Sequence, residues 1–320
     1  MRTRSWIRRG AVIVVAMFAL LALPKASQAQ MCSFSVGYTD FGEYDTTYSE
    51  PTEVVGAVIM YCTGYTTPMV RMCLNISTTS PRVLTGPNGA TLDYNLYVDP
   101  DHVSVWGSIL NPSTTPYIID LPVHPSGKVW AQEPFYGRIP PNQQVGLGTY
   151  TQTFTAADTY FVYVGYSGTP PSCSTATAPY KSAAFNVSVN VANNCNISAT
   201  PMVFGTQSSF QEPLEATSRI TATCTSGASY NIALNGGTSD GGAITGRKLT
   251  RVGGTETIDY QLYIDPSHTV PWGDGTSGTV MGNGVGTGVA YTFTVYGQVP
   301  AQSAPRPGPY RDTITAFIIF

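Results

Sequence analysis

The chain has 320 residues and a net charge of −3, and only 11% of its residues are charged, against about 25% in an average soluble domain. With 42% apolar residues, so little charge argues against disorder, and the lack of any Lys/Arg cluster argues against a nucleic-acid partner. An abundance of Thr, Ser, Gly, Tyr and Val is the vocabulary of strands and tight turns.

At the N-terminus, Arg2, Arg4, Arg8 and Arg9 precede an apolar run from Ala11 to Leu23, and Ser27-Gln28-Ala29 follows as a small-x-small site. Residues 1–29 read as a secretory signal, because a run of about 13 residues falls short of the ~20 that a membrane span needs. The exported product is expected to begin near Gln30. From there the pattern has period two: Val54–Met60, Tyr94–Val98, Tyr160–Val164, Phe185–Val191, Tyr291–Val295 and Ile314–Phe320 each alternate apolar with polar residues. Turn-forming clusters such as Thr85-Gly86-Pro87-Asn88-Gly89 separate them. Short strands at regular spacing predict an all-β fold of small sandwiches.

The series of elements occurs twice. Cys32…Phe41-Gly42…Cys62 recurs as Cys195…Phe204-Gly205…Cys224, and Leu92-Asp93-Tyr94 to Asp99-Pro100 recurs as Ile258-Asp259-Tyr260 to Asp265-Pro266. Trp106-Gly107 matches Trp272-Gly273, Tyr136-Gly137-Arg138-Ile139-Pro140 matches Tyr296-Gly297-Gln298-Val299-Pro300, and Gly148-Thr149-Tyr150 matches Gly308-Pro309-Tyr310. A period of about 160 residues is that of a whole domain. The expected division is residues 30–192 and 195–320, with a short polar link at Ala192-Asn193-Asn194. Copy one continues past its last match into Ala183–Val191, where Phe185, Val187, Val189 and Val191 alternate; copy two has no such segment after Phe320. One domain is expected to be complete and the other to be a strand short.

Six cysteines in an exported chain read as disulfides. Repeat equivalence pairs Cys32 with Cys62 and Cys195 with Cys224, which leaves Cys73 with Cys173. No C-x-x-C occurs and no His lies near a Cys, so no metal site is expected. There is no G-x-S-x-G, S-x-x-K or H-E-x-x-H. His102 and His268 occupy equivalent places after Asp-Pro turns, His124 lies in a loop, and Asp93 and Asp259 stand alone between apolar neighbours. These read as structural, so no catalytic set and no cofactor are expected. Tyr150 and Tyr310 are expected to pack a corner.

The segment from Trp106 to Trp130 differs most between the copies. Copy two fills it with glycine, whereas copy one carries Ile109-Leu110 and Tyr117-Ile118-Ile119 on a Pro-containing stretch without alternation. With Tyr65 and Met69, these residues are expected to form exposed, surface-binding loops. The alternative is that they cover the end of the sandwich core.

The block Tyr-Gly-x-[Ile/Val]-Pro, a following Gln, and Gly-x-Tyr-x-x-Thr before a terminal alternating strand resembles the spore coat protein U domain. Copy two carries it as Tyr296-Gly297-Gln298-Val299-Pro300, Gln302 and Gly308-Pro309-Tyr310-Arg311-Asp312-Thr313, with Cys195 and Cys224. Copy one departs from it at Gln152, from Ala156 onward, and in its extra Cys73 and Cys173. The family includes the pilins of archaic (Csu-type) chaperone–usher pili. The resemblance implies tandem immunoglobulin-like sandwiches, the second lacking a strand that is supplied by donor-strand complementation. It implies a periplasmic chaperone, an outer-membrane usher and an adjacent pilin as partners. Phe185, Val187, Val189 and Val191 would then be the strand supplied in cis, and Ile314, Ala316, Ile318 and Phe320 the strand beside the open groove. With only Gln30 and Met31 before Cys32, the chain is expected to accept a strand without donating one. It would be a tip subunit at the cell surface that attaches to an abiotic or host surface in biofilm formation. The alternatives are a structural coat or envelope protein without adhesive function and, more distantly, a secreted carbohydrate-active enzyme.

Overall fold

The computed structural model describes residues 29–76, 82–111, 114–175, 180–239 and 242–320; most of the expected signal, residues 1–29, lies outside these. The described residues are strands and turns, with helix confined to a 3-10 turn at Pro87–Gly89. They pack around two main cores. One is drawn from Cys32 to Val191 and the other from residues between Ile220 and Val299.

In the N-terminal unit an eight-stranded sheet runs in the order Met31–Val36, Thr52–Thr63, Val129–Ile139, Thr91–Tyr97, Arg82–Thr85, Gly148–Phe154, Phe185–Val191, Thr39–Tyr44. A second sheet holds Tyr180–Lys181, Thr159–Tyr166, Met69–Ile76 and Tyr117–Pro122. The alternating runs fall mainly in strands, with Val98, Ile314, Thr315 and Phe320 outside the strand bounds. Met69–Ile76 has no such alternation. It lies in the middle of its sheet, with most of its residues buried, so both faces are apolar.

The C-terminal unit repeats this plan with fewer pairings. Its sheets are Cys195–Ala199, Leu214–Cys224, Ala290–Val299, Gln261–Tyr263; then Gly282–Val285, Ser229–Leu234, Ala316–Ile319; then Thr257–Asp259, Lys248–Arg251, Tyr310–Arg311. Cys32–Cys62 and Cys195–Cys224 join neighbouring strands in register, and Cys73–Cys173 closes a loop with a sequence separation of 100.

The repeat is held by matched interactions. The Trp106 indole donates to the Leu74 carbonyl and that of Trp272 to Ile232, both at 2.8 Å. Arg82 donates to the Trp106 carbonyl and Arg247 to that of Trp272, which satisfies buried backbone that the sheets leave unpaired. Tyr150 donates to Gly146 and Tyr310 to Arg306, each four residues back, making the expected corners. Gly137 and Gly297 of the Tyr-Gly motif are glycine for space. A Cβ on Gly137 would lie 2.6 Å from the Phe41 ring, and one on Gly297 would lie 2.1 Å from Met202 Sδ.

Candidate functional site

His102 and His268 occupy equivalent packed turns. Each sits at positive φ (55° and 54°) and packs edge-on against two tyrosines, Tyr97 and Tyr136 in one copy, Tyr263 and Tyr296 in the other. Each faces a glutamate, Glu53 at 3.6 Å or Glu215 at 3.5 Å. The preceding aspartates cap the same turns: Asp99 accepts from the amides of Val103 and Ser104, and Asp265 from those of Thr269 and Val270. The Val103 amide, helped by that of Ser104, holds the Asp99 carboxyl below the usual range.

The expected greasy loops are a correction. Trp106 is fully buried, with its indole bonded to Leu74. Tyr65 is buried with its hydroxyl 3.4 Å from Cys32 Sγ, and Ile119 is buried. Tyr117-Ile118-Ile119 is not a loop. It opens the strand Tyr117–Pro122, which pairs with Met69–Ile76 and turns alternate side chains inward. Ile109 packs against the Cys73–Cys173 disulfide beside Tyr160, and Met69 and Tyr117 are half-buried. Only Leu110 and Ile118 of the eight are exposed. A bulky run without alternation had covered a sheet edge instead of facing water.

The two copies differ most around Phe185–Val191. This strand lies antiparallel to Gly148–Phe154, from Phe185 opposite Phe154 to Val191 opposite Gly148, and parallel to Thr39–Tyr44. Phe185, Val187, Val189 and Val191 are all buried. Phe185 stacks on Phe154 at 4.3 Å and reaches Trp106 and Phe135. Ser188 breaks the alternation: it is buried too, and bonds Tyr38 and Asp40.

In the C-terminal unit, Tyr310–Arg311 pairs with Lys248–Arg251 on one side. Among the described residues no strand lies on its other side, and residues 201–213, which match the region of Thr39–Tyr44, form no strand. Between the two opens a cleft of about 1130 Å³, lined among others by Phe204, Phe210, Ile258, Tyr260, Tyr310 and Ile314. Ile314, Ala316 and Ile318 pack half-buried against the second core. Phe320 does not join them; it lies past the strand end at Ile319 and is 56% exposed.

One wall of the cleft is pinned by a polar knot. Asp312 accepts from the amides of Thr238, Ser239 and Thr313 and from the Tyr260 hydroxyl at 2.7 Å. Burial, then this bond to Asp312, raises Tyr260 far above the usual phenol range. Copy one uses the neutral equivalent, Tyr94 to Gln152 at 2.6 Å. The buried Arg82 and Arg247 are site supports that the motif reading missed, although Arg82-Val83-Leu84-Thr85 and Arg247-Lys248-Leu249-Thr250 repeat visibly. Apolar walls beside an unpaired strand edge can take up an extended segment, with alternate side chains entering the cleft and the backbone completing the ladder.

The model of the Spore Coat Protein U domain matches residues 17–157 and 181–317. A curated relative, Protein U of Myxococcus xanthus, is 35% identical over 78 residues, which is 24% of this chain and 42% of that protein. The chain therefore spans less than half the length of that relative. The fold is similar to that of a tip adhesion subunit solved as a chaperone–tip subunit pre-assembly complex of archaic chaperone–usher Csu pili from Acinetobacter baumannii. That likeness has a TM-score of 0.54 at 17% identity and covers 91% of this chain and 100% of that one.

Proposed function

Because the chain belongs to the Spore Coat Protein U domain family, we propose that it is an exported pilus subunit with residues 30–192 and 195–320 as its domains. The C-terminal domain takes a strand from a partner, first a periplasmic chaperone and then, at an outer-membrane usher, an adjacent pilin. The N-terminal domain, completed by its own Phe185–Val191, is free to meet a surface at the pilus tip and so to serve attachment and biofilm formation. The observation that carries this reading is the open cleft beside Tyr310–Arg311 where the other copy holds Phe185–Val191. The fold likeness to a tip subunit along nearly the whole chain supports it. A structural coat role, which the description of the family suggests, shares the cleft but needs no surface contact.

The test adds to the full chain a synthetic peptide of sequence 183–191, whose alternating side chains already fit the cleft's counterpart. Hydrogen exchange should slow in residues 310–316, and the C-terminal domain should gain about 2.7 kcal/mol at a peptide concentration 100 times Kd. If neither this peptide nor any other alternating apolar strand protects that segment, the strand-accepting reading fails.

A further inference from the structure

The N-terminal unit carries an aromatic pair that the fold does not require. Tyr61 and Trp130 face each other across neighbouring antiparallel strands, and on the outer face they are 43% and 68% exposed. Facing Cβ atoms in such a pair stand about 5 Å apart, so both rings project from one patch of the outer face. The repeat supplies the internal control. The equivalent partners in the C-terminal unit are Thr223 and Ala290, in the same register between the same strands. The fold is thus built equally well with small residues at these places.

The end that bears Thr223 and Ala290 is also the one that abuts the N-terminal unit. There Thr225 bonds Thr46 at 3.0 Å, Leu147 donates to Ser226, and Gly288 lies against Gln144. At the matching place in the N-terminal unit stand Tyr61 and Trp130.

Beside the pair the loop between Tyr117–Pro122 and Val129–Ile139 forms a hollow of about 680 Å³, lined by Tyr61, Val123, His124, Ser126, Lys128 and Trp130. His124 Nδ1 lies 2.8 Å from the Ser126 hydroxyl and 3.2 Å from the Ser126 amide, which holds the ring at the edge of the hollow. Lys128 is exposed, and no carboxylate lines the hollow. Flat ring faces next to hydroxyl, imidazole and ammonium donors match a pyranose, which presents a C–H face on one side and a rim of hydroxyls on the other. The unopposed Lys128 selects a sugar with a carboxylate.

We infer that Tyr61 and Trp130, with His124, Ser126 and Lys128 at their edge, form a glycan-binding site for uronic-acid-type sugars. The site is independent of the strand-accepting cleft and does not rest on the pilus reading. The test uses the full chain with oligogalacturonate, a neutral cello-oligosaccharide of equal length, and polystyrene beads. Oligogalacturonate should quench tryptophan fluorescence saturably, and Trp130→Ala and Tyr61→Ser should each weaken binding at least tenfold while the melting temperature stays unchanged. Lys128→Gln should weaken oligogalacturonate about fivefold and bring it level with the neutral sugar. Equal wild-type affinity for both sugars overturns the acidic assignment. Binding to beads alone, or sugar binding that survives Trp130→Ala, overturns the site.

Discussion

In the N-terminal unit the strand Phe185–Val191 lies between Gly148–Phe154 and Thr39–Tyr44, and both flanking segments are regular strands. In the C-terminal unit the matching interval separates the two-residue strand Tyr310–Arg311 from a stretch, 201–213, without strand structure. Of the local sequence only Phe41-Gly42 recurs, as Phe204-Gly205, and both glycines keep positive φ, 74° and 78°; Thr39-Asp40 and Glu43-Tyr44 are replaced by Met202-Val203 and Thr206-Gln207. The neighbour differs too. A strand whose ladder partner is present is held by backbone bonds on that side. Residues 201–213 have no such partner among the described residues; Phe204 still lies over Gly297, and the segment forms no strand.

The comparison breaks most sharply if Val187 and Val189, both fully buried, are replaced together by Asp. Two uncompensated charges in the core exceed the 5–15 kcal/mol of a typical domain's stability, and the N-terminal unit should unfold. Hydrogen exchange resolved by residue should lose protection throughout residues 32–191. Retained protection would mean that the unit does not depend on this strand.

A smaller effect separates the units by their cross-links. Cys73–Cys173 has no counterpart in copy two, and closing a loop of about 100 residues is worth roughly 4–5 kcal/mol in the chain-entropy account. Replacing both cysteines by Ser should lower the melting temperature of the N-terminal unit and leave residues 195–320 unchanged, as judged by calorimetry with exchange mapping.

The matched corners sharpen the comparison at about 1 kcal/mol. Tyr150→Phe removes the bond to Gly146 from beneath a completed sheet, where Tyr150 is fully buried opposite Val189. Tyr310→Phe acts on a half-buried ring at the open cleft. Its effect should be smaller in the free chain and should rise to the Tyr150 value once a strand peptide is bound. Denaturant titrations of the two variants, with and without peptide, measure this.

The smallest effect is a pH dependence confined to one unit. Arg71, hydrogen-bonded and charge-paired with Asp120 and joined by the Tyr166 hydroxyl, holds the Asp120 carboxyl below its usual range. The group binds its proton less readily folded than unfolded. Its contribution is therefore complete above the unfolded value near 4 and disappears as pH falls through the depressed one. Asp120→Asn should remove that part of the acid sensitivity of the N-terminal unit, an effect under about 1 kcal/mol for so exposed a pair. An unchanged pH profile would assign the sensitivity to other carboxylates.

Most of the architecture was legible in the residues. Period-two runs marked strands, and the repeat marked two copies of one plan. Equivalent places in the repeat also gave the two His side chains the same turn and the same aromatic neighbours. The reading failed where it treated apolar bulk as exposure. Tyr117-Ile118-Ile119 lacks alternation, but Met69–Ile76 pairs with it and hides Ile119. Trp106 lies in a variable stretch and still fills the core. The buried arginines escaped because their recurrence in the chain does not show that a distant tryptophan's carbonyl awaits each.

The amino-acid sequence by itself determined the all-β class, the duplicated plan and the surplus alternating strand of the first copy, because these depend on side-chain period and on recurrence along the chain. Three outcomes waited on the folded chain: which apolar side chains face water, the irregular course of residues 201–213, and the facing of Tyr61 and Trp130 on one exposed patch. Those outcomes depend on which strands lie side by side. Strand pairing joins residues far apart in the chain, so no window of sequence contains it.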